Sequence, residues 1–224
     1  MRTALVCAVV WVLALVGSAA VIRVPQDYTS IQLAVNAAKP GDTVLIAPGI
    51  YSESVTILGK KSLVLKGDVV FDIPEQYECC PPIFIEVGKV ILAGPLHIVN
   101  SSDITVEALT VIPRGVLVQG SFLTPATNIT FRYVQIIQAS GDGLRFVGWY
   151  KNVTIFGCDI SHNGADGIDL ADQGETIVIE KSCINWNGRV TPTGVGVRIG
   201  PDVKNVVIRG NCLIGNAFAA IHPG

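Results

Sequence analysis

Four residues with chemistry to offer recur at one position of a repeat: Arg145, Asp169, Arg198 and His222, spaced 24, 29 and 24 residues apart. Each follows an apolar residue, Leu144, Ile168, Val197 and Ile221. Side chains alternate along a strand, so if those apolar residues face a core, their successors face out. Stacked coils then set the four in one outward line. Arginine binds carboxylates in forked geometry. Histidine accepts a proton near neutral pH, and aspartate can hold a basic partner or take part in acid chemistry. Proton abstraction beside a uronic acid carboxylate, with arginine neutralising that carboxylate, is lyase or epimerase chemistry. Asp169, His222, Arg198 and Arg145 are therefore the catalytic candidates. Trp149 and Tyr150, in the turn expected after the Arg145 strand, can rim the site and stack on sugar faces. His162 and Trp186 share the turn before the strand, and Asp166 lies beside Asp169. These five are the substrate-binding candidates, and an extended acidic polysaccharide is the partner they suit. Asp166 and Asp169, with Asp142 one repeat below Asp166, are the nearest carboxylates for the other route, glycoside hydrolysis.

Two other readings stand beside this one. Alternating Arg and Asp in a column also solvates a sheet face, because opposite charges in adjacent strands attract. The same face would then serve a non-catalytic surface, adhesion or carbohydrate-binding protein. The chemistry requires no cofactor. Asp166, Asp169 and Asp172 are the acids that would take Ca²⁺, although a spacing by three does not by itself converge them on one ion. With one Met and three His, the His and Met clusters of a metal-handling β-helix are lacking.

The elements that position these residues are repeats. NITFRYVQI (128–136), NVTIFGCDI (152–160), TIVIEKSCI (176–184) and NVVIRGNCL (205–213) align. Their β-branched pairs and short turns, with no helix between strands, point to an all-β parallel β-helix of short coils. Equivalent positions then stack about 4.8 Å apart. Ile129, Val153, Ile177 and Val206 form one inward column, and Phe131, Ile155, Ile179 and Ile208 another. Asn163, Asn187 and Asn216, with Ala139 beneath, are expected as a structural amide ladder, since a buried amide must be satisfied. Glu180 and Arg209 read as a surface pair. Cys183 and Cys212 share a column, with spacing that could suit a disulfide, and Cys158 reads as a small buried residue.

Before the repeats, residues 1–20 carry Arg2, an apolar run from Ala4 to Gly17 and the small residues Ser18, Ala19 and Ala20, the pattern of a secretory signal. An exported chain with no later span, secreted, periplasmic or on the cell surface, is expected. Of six cysteines, five remain after the signal; the vicinal Cys79-Cys80 pair lies in an irregular stretch, 74–82. Charge is near balance, with no basic stripe for nucleic acid. Thr29 or Ser30 can cap a short helix with Ile31, Ala34, Val35 and Ala38 on its apolar face, stopped by Pro40-Gly41. Thr43 to Ala47, Ser54 to Leu58, 62–66, 68–72, 83–87 and 89–92 read as strands, with Pro48-Gly49 a turn.

Pro40, Gly41, Asp42, Pro48, Gly49, Tyr51 and Glu53 resemble the N-terminal segment of pectin-lyase-like right-handed parallel β-helices, including pectin esterases. The resemblance covers 21–224. It implies a capping helix and first rungs over 21–60 and regular coils over 96–224. The motifs of polygalacturonases, pectin esterases and mannuronan epimerases are absent, so the resemblance implies fold rather than one activity. Sequons occur at Asn100, Asn128 and Asn152. The last coil shows no capping element. Further coils or a partner are therefore expected beyond it, with Leu213, Phe218 and Ile221 forming an apolar end.

Overall fold

A computed structural model describes residues 18–69 and 89–223. Most of the expected signal, the Cys79-Cys80 stretch and the 83–87 strand lie outside these. Among the described residues no helix is long and apolar enough to cross a membrane.

Among the described residues every strand pairing is parallel, and the coils visit three sheets in turn, the last two with single bridges at Cys183 and Cys212 in place of a sheet B strand. Sheet A holds Val21–Val24, Thr43–Ile46, Lys61–Gly67, Ser102–Glu107, Ala126–Arg132, Gln173–Glu180 and Lys204–Arg209. Sheet B holds Gly49–Tyr51, Val90–Ala93, Thr110–Ile112, Gln135–Ile137 and Asp159–Ser161. Sheet C holds Val55–Leu58, Leu96–Val99, Val116–Gly120, Ile168–Leu170, Val195–Ile199 and Ala219–Pro223. One long strand, Leu144–Phe156, begins in sheet C and ends in sheet A. Chain order A, B, C, A with parallel pairing throughout is a parallel β-helix.

The apolar columns meet inside. Ile129, Val153 and Ile177 are buried in register, as are Phe131, Ile155 and Ile179. The Asn column forms as expected. Asn163 Oδ1 accepts from the Ala139 N–H at 2.9 Å, and Asn187 Oδ1 accepts from the Asn163 N–H and amide at 3.1 and 2.9 Å. A second, shorter polar ladder was not anticipated. The Cys158 N–H donates to Ser182 Oγ, and the Ser182 N–H to Asn211 Oδ1. Cys158 is fully buried, which pushes its thiol up to about 12, so it is inert packing rather than a nucleophile.

At the N-terminal end the helix is Ile31–Ala37, with Ser30 as its cap. The Pro-Gly-Asp and Pro-Gly-x-Tyr-x-Glu residues have physical tasks here. Glu53 accepts from the Ile31 and Gln32 N–H groups at 2.9 and 3.0 Å, satisfying donors that the first turn leaves free. Asp42 accepts from the Ala20 and Lys39 N–H groups, and these bonds hold its carboxyl below the usual range. Tyr51 donates to the Ala47 carbonyl. Ile31, Ala34, Val35 and Ala38 face the core.

Three expectations are corrected. Gly49 starts a sheet B rung paired with Val90 rather than completing a turn, because a three-residue strand is enough for one side of a coil. Asp68 and Val69 are not in a strand. Cys183 is disulfide-bonded while Cys212 is free, so the two do not pair with each other. Their backbones are bridge partners in adjacent coils. At the far end, Phe218 and Ile221 are exposed and Leu213 half-buried.

Candidate functional site

The expected outward line exists. Arg145 pairs in register with Asp169, Asp169 with Arg198, and Arg198 with His222. Below it the same column continues through Leu117 to His97. The chemistry of the line differs from the expectation, because the turn aspartates reach into it. Asp166 takes the Arg198 guanidinium in a fork, with Nε at 2.5 Å and Nη2 at 3.0 Å. Its Oδ1 also accepts from the Val195 N–H at 2.8 Å. Asp142 plays the same turn role one coil down, accepting from the Asp166 N–H at 3.0 Å. Arg145 spans Asp142 at 3.5 Å and Asp169 at 3.3 Å. Two arginines thus face three aspartates. The Arg198 fork is filled from within, and Arg145, half-exposed, is the arginine of the column more open to a ligand.

Asp169 is only 8% exposed, although its position points outward. Burial, reinforced by the neighbouring Asp142, pushes its carboxyl up to about 6 against the pull of Arg145. Burial likewise raises Asp142. A carboxyl raised on folding prefers its proton in the folded state. Its contribution to stability is therefore complete below 3.8 and is lost as pH rises towards 6. The stability of wild type relative to Asp169→Asn is expected to fall across that window, by no more than about 3 kcal/mol. Urea titrations of both proteins at several pH values check this; a constant or rising difference would contradict it.

His222 sits in line, but its Nδ1 is buried without a partner among the described residues, and its ring lies 5.6 Å from Phe218. His162 and Trp186 share a column, as expected, with Gln138 and Gly215. All four adopt positive φ. The Trp186 ring covers Gly215, where a Cβ would lie 2.4 Å from it. Among the described residues no hydrogen bond or ring contact joins His162 or Trp186 to the charged line. No group of three or more His, Cys, Asp or Glu side chains suited to a metal ion occurs among the described residues.

Tyr150 lines the cleft beside Trp149 from its floor rather than from its rim. It is buried, its ring lies 5.2 Å from Phe146 and against Gly174, and its hydroxyl has no partner among the described residues. Burial raises this phenol well above its usual range. Trp149, by contrast, is 42% exposed and braced edge-on by Phe122, with centroids 5.1 Å apart. Neither lies in a turn. The strand bends at Gly148, which has φ +72°, and continues into sheet A. A side chain at Gly148 would also meet the Gly120 carbonyl at 2.0 Å.

That bend creates a feature absent from the sequence reading, a cleft of about 350 Å³ where sheets C and A meet. Trp149 and Gln173 are register partners in it. Thr127, Lys151, Glu175 and Lys204 form the adjacent column across four coils. Lys151 donates to Glu175 at 2.8 Å, with both half-exposed. The alternation of outward positions along one strand places Arg145, Trp149 and Lys151 on the same outer surface. The sequence signal for the lysines was present in the repeat, at the residues just before each strand-opening Asn or Thr.

Residues 93–223 match the family model described as the right handed beta helix region, and this chain belongs to that family. Among solved structures it is similar to an alginate lyase from Paenibacillus sp. str. FPU-7, with TM-score 0.53 and 14% identity over 86% of this chain and 75% of that one. It is also similar to the pectate lyase Pel9A, with TM-score 0.50 and 14% identity over 77% of this chain and 55% of that one. At such identity the likeness is one of fold. No curated protein matches the sequence.

Proposed function

We propose that this chain is an exported β-helix protein that binds acidic polysaccharide in the cleft at the corner of sheets C and A, with Arg145 extending the contact surface. The observation that carries this reading is the cleft: an exposed tryptophan, held edge-on by Phe122, beside Lys151 and Lys204. An indole face stacks on a pyranose ring, and ammonium groups meet its carboxylates as mobile point charges. That the two similar solved structures are an alginate lyase and a pectate lyase supports the same reading. Retention on immobilised pectate, alginate and glycosaminoglycan tests it. Trp149→Ala is expected to weaken binding about tenfold or more, as loss of a central aromatic anchor does. Failure of the wild type to bind any of the three polymers would sink the reading.

One observation favours catalysis as a second reading. Asp169, raised to about 6, stands beside half-exposed Arg145. With Arg145 on a uronate carboxylate, Asp169 would take the proton from the adjacent carbon. The electron pair left behind would form the double bond as the glycosidic oxygen departs and takes a proton from water. Unsaturated-uronate absorbance that appears with wild type and vanishes in Asp169→Asn supports this reading; binding without absorbance leaves a binding protein.

A further inference from the structure

We infer that the cleft selects an unsulfated polymer bearing a carboxylate on alternate sugars, a uronate–N-acetylhexosamine repeat, rather than a polyuronate. This rests on the cleft being the polysaccharide site. The cleft runs along the stack axis, from Thr127 through Lys151 and Glu175 to Lys204, one residue per coil. Adjacent strands are about 4.8 Å apart, so the bases of Lys151 and Lys204 stand about 10 Å apart with Glu175 between them. A pyranose in an extended chain advances by roughly one coil spacing. The column therefore meets successive sugars with cation, anion and cation.

A polyuronate that turns every carboxylate to this face would place one against Glu175. Like charges at that spacing repel, and the Lys151 ammonium, which Glu175 shares with the neighbouring uronate, offsets this only in part. An N-acetylhexosamine presents an amide N–H and hydroxyls instead, which the Glu175 carboxylate accepts. Gln173, beside Trp149 in register, offers a neutral donor and acceptor to an acetamido group next to the ring. Asp202 also lines the cleft. Lys151 and Lys204 are thus matched by Glu175 and Asp202, so the cleft lining carries no net positive charge to draw in sulfate groups or a carboxylate on every sugar.

The test compares size-matched oligosaccharides by calorimetry at physiological salt: unsulfated hyaluronan and chondroitin fragments against oligogalacturonate and oligomannuronate. Wild type is expected to bind the alternating oligosaccharides about tenfold more tightly. Glu175→Gln, half-exposed and isosteric, is expected to raise affinity for the two polyuronates and so narrow that ratio. Equal or tighter binding of polyuronates by wild type overturns the inference, as does an unchanged ratio in Glu175→Gln; both leave polysaccharide binding intact. Absence of binding to all four ligands overturns the polysaccharide reading itself, and this inference with it.

Discussion

Asn187→Ala is expected to destabilise the protein by about 3–5 kcal/mol, among the largest effects of any single substitution. Asn187 is 1% exposed and stands mid-ladder. Its Oδ1 accepts both the N–H and the amide of Asn163, and its own amide donates to the Ile160 carbonyl and to Asn216 Oδ1 at 3.0 Å. Truncation leaves the Asn163 donors and the Ile160 carbonyl without partners in a dry turn. Each buried orphan costs about 1–3 kcal/mol, so the lost bonds outweigh the small cavity. Because coils contact only their neighbours, the weakness concentrates between two adjacent coils. Urea unfolding is expected to show a lower midpoint and a broader transition. A midpoint within error of wild type would contradict the ladder's energetic role.

The second large effect is expected at Asp166. Asp166→Ala removes the fork on Arg198 and the acceptor of the Val195 N–H together. Removing one partner of a buried pair costs about 3–5 kcal/mol when the remaining charge stays dry. Arg198 is one-third exposed and keeps a bond to the Thr193 carbonyl, so a loss of about 2–4 kcal/mol is expected. Arg198→Met in the Asp166→Ala background should recover part of that loss by removing the stranded cation. The double-mutant cycle measures this coupling. Near-zero coupling would show that Asp166 acts only through Val195. The same variant bears on function, because freeing the Arg198 fork offers a second arginine to an anionic ligand.

Much of the fold was legible from particular residues. The inward columns through Ile129 and Phe131 follow from alternation within a fixed period. The Asn163, Asn187 and Asn216 ladder follows from one polar residue recurring at a turn. The N-terminal motif identified a cap, and Glu53 on the helix start and Asp42 on the Ala20 and Lys39 N–H groups show why those acids stand where they do. The candidate site was legible only in part. Register along a sheet is periodic, so the line of Arg145, Asp169, Arg198 and His222 could be placed from spacing alone. Which arginine is free could not. That depends on side chains crossing from the turn, where Asp166 fills one fork and Asp142 reaches the other arginine.

Tyr150 shows the same limit. Adjacent to Trp149, it looked like a second rim aromatic. The sequence suggested a turn after the Arg145 strand; because the strand instead runs on through the bend at Gly148, alternation sends Trp149 out and Tyr150 in. By itself the sequence determined the coil, its core columns, its structural ladder and the outward address of four charged residues, because all of these are consequences of period. The tertiary structure decided the cleft beside Trp149, the burial of Asp169 and the pairing of the arginines. Those depend on how one strand turns the corner between sheets and on distances between side chains in different coils, which no repeat spacing encodes.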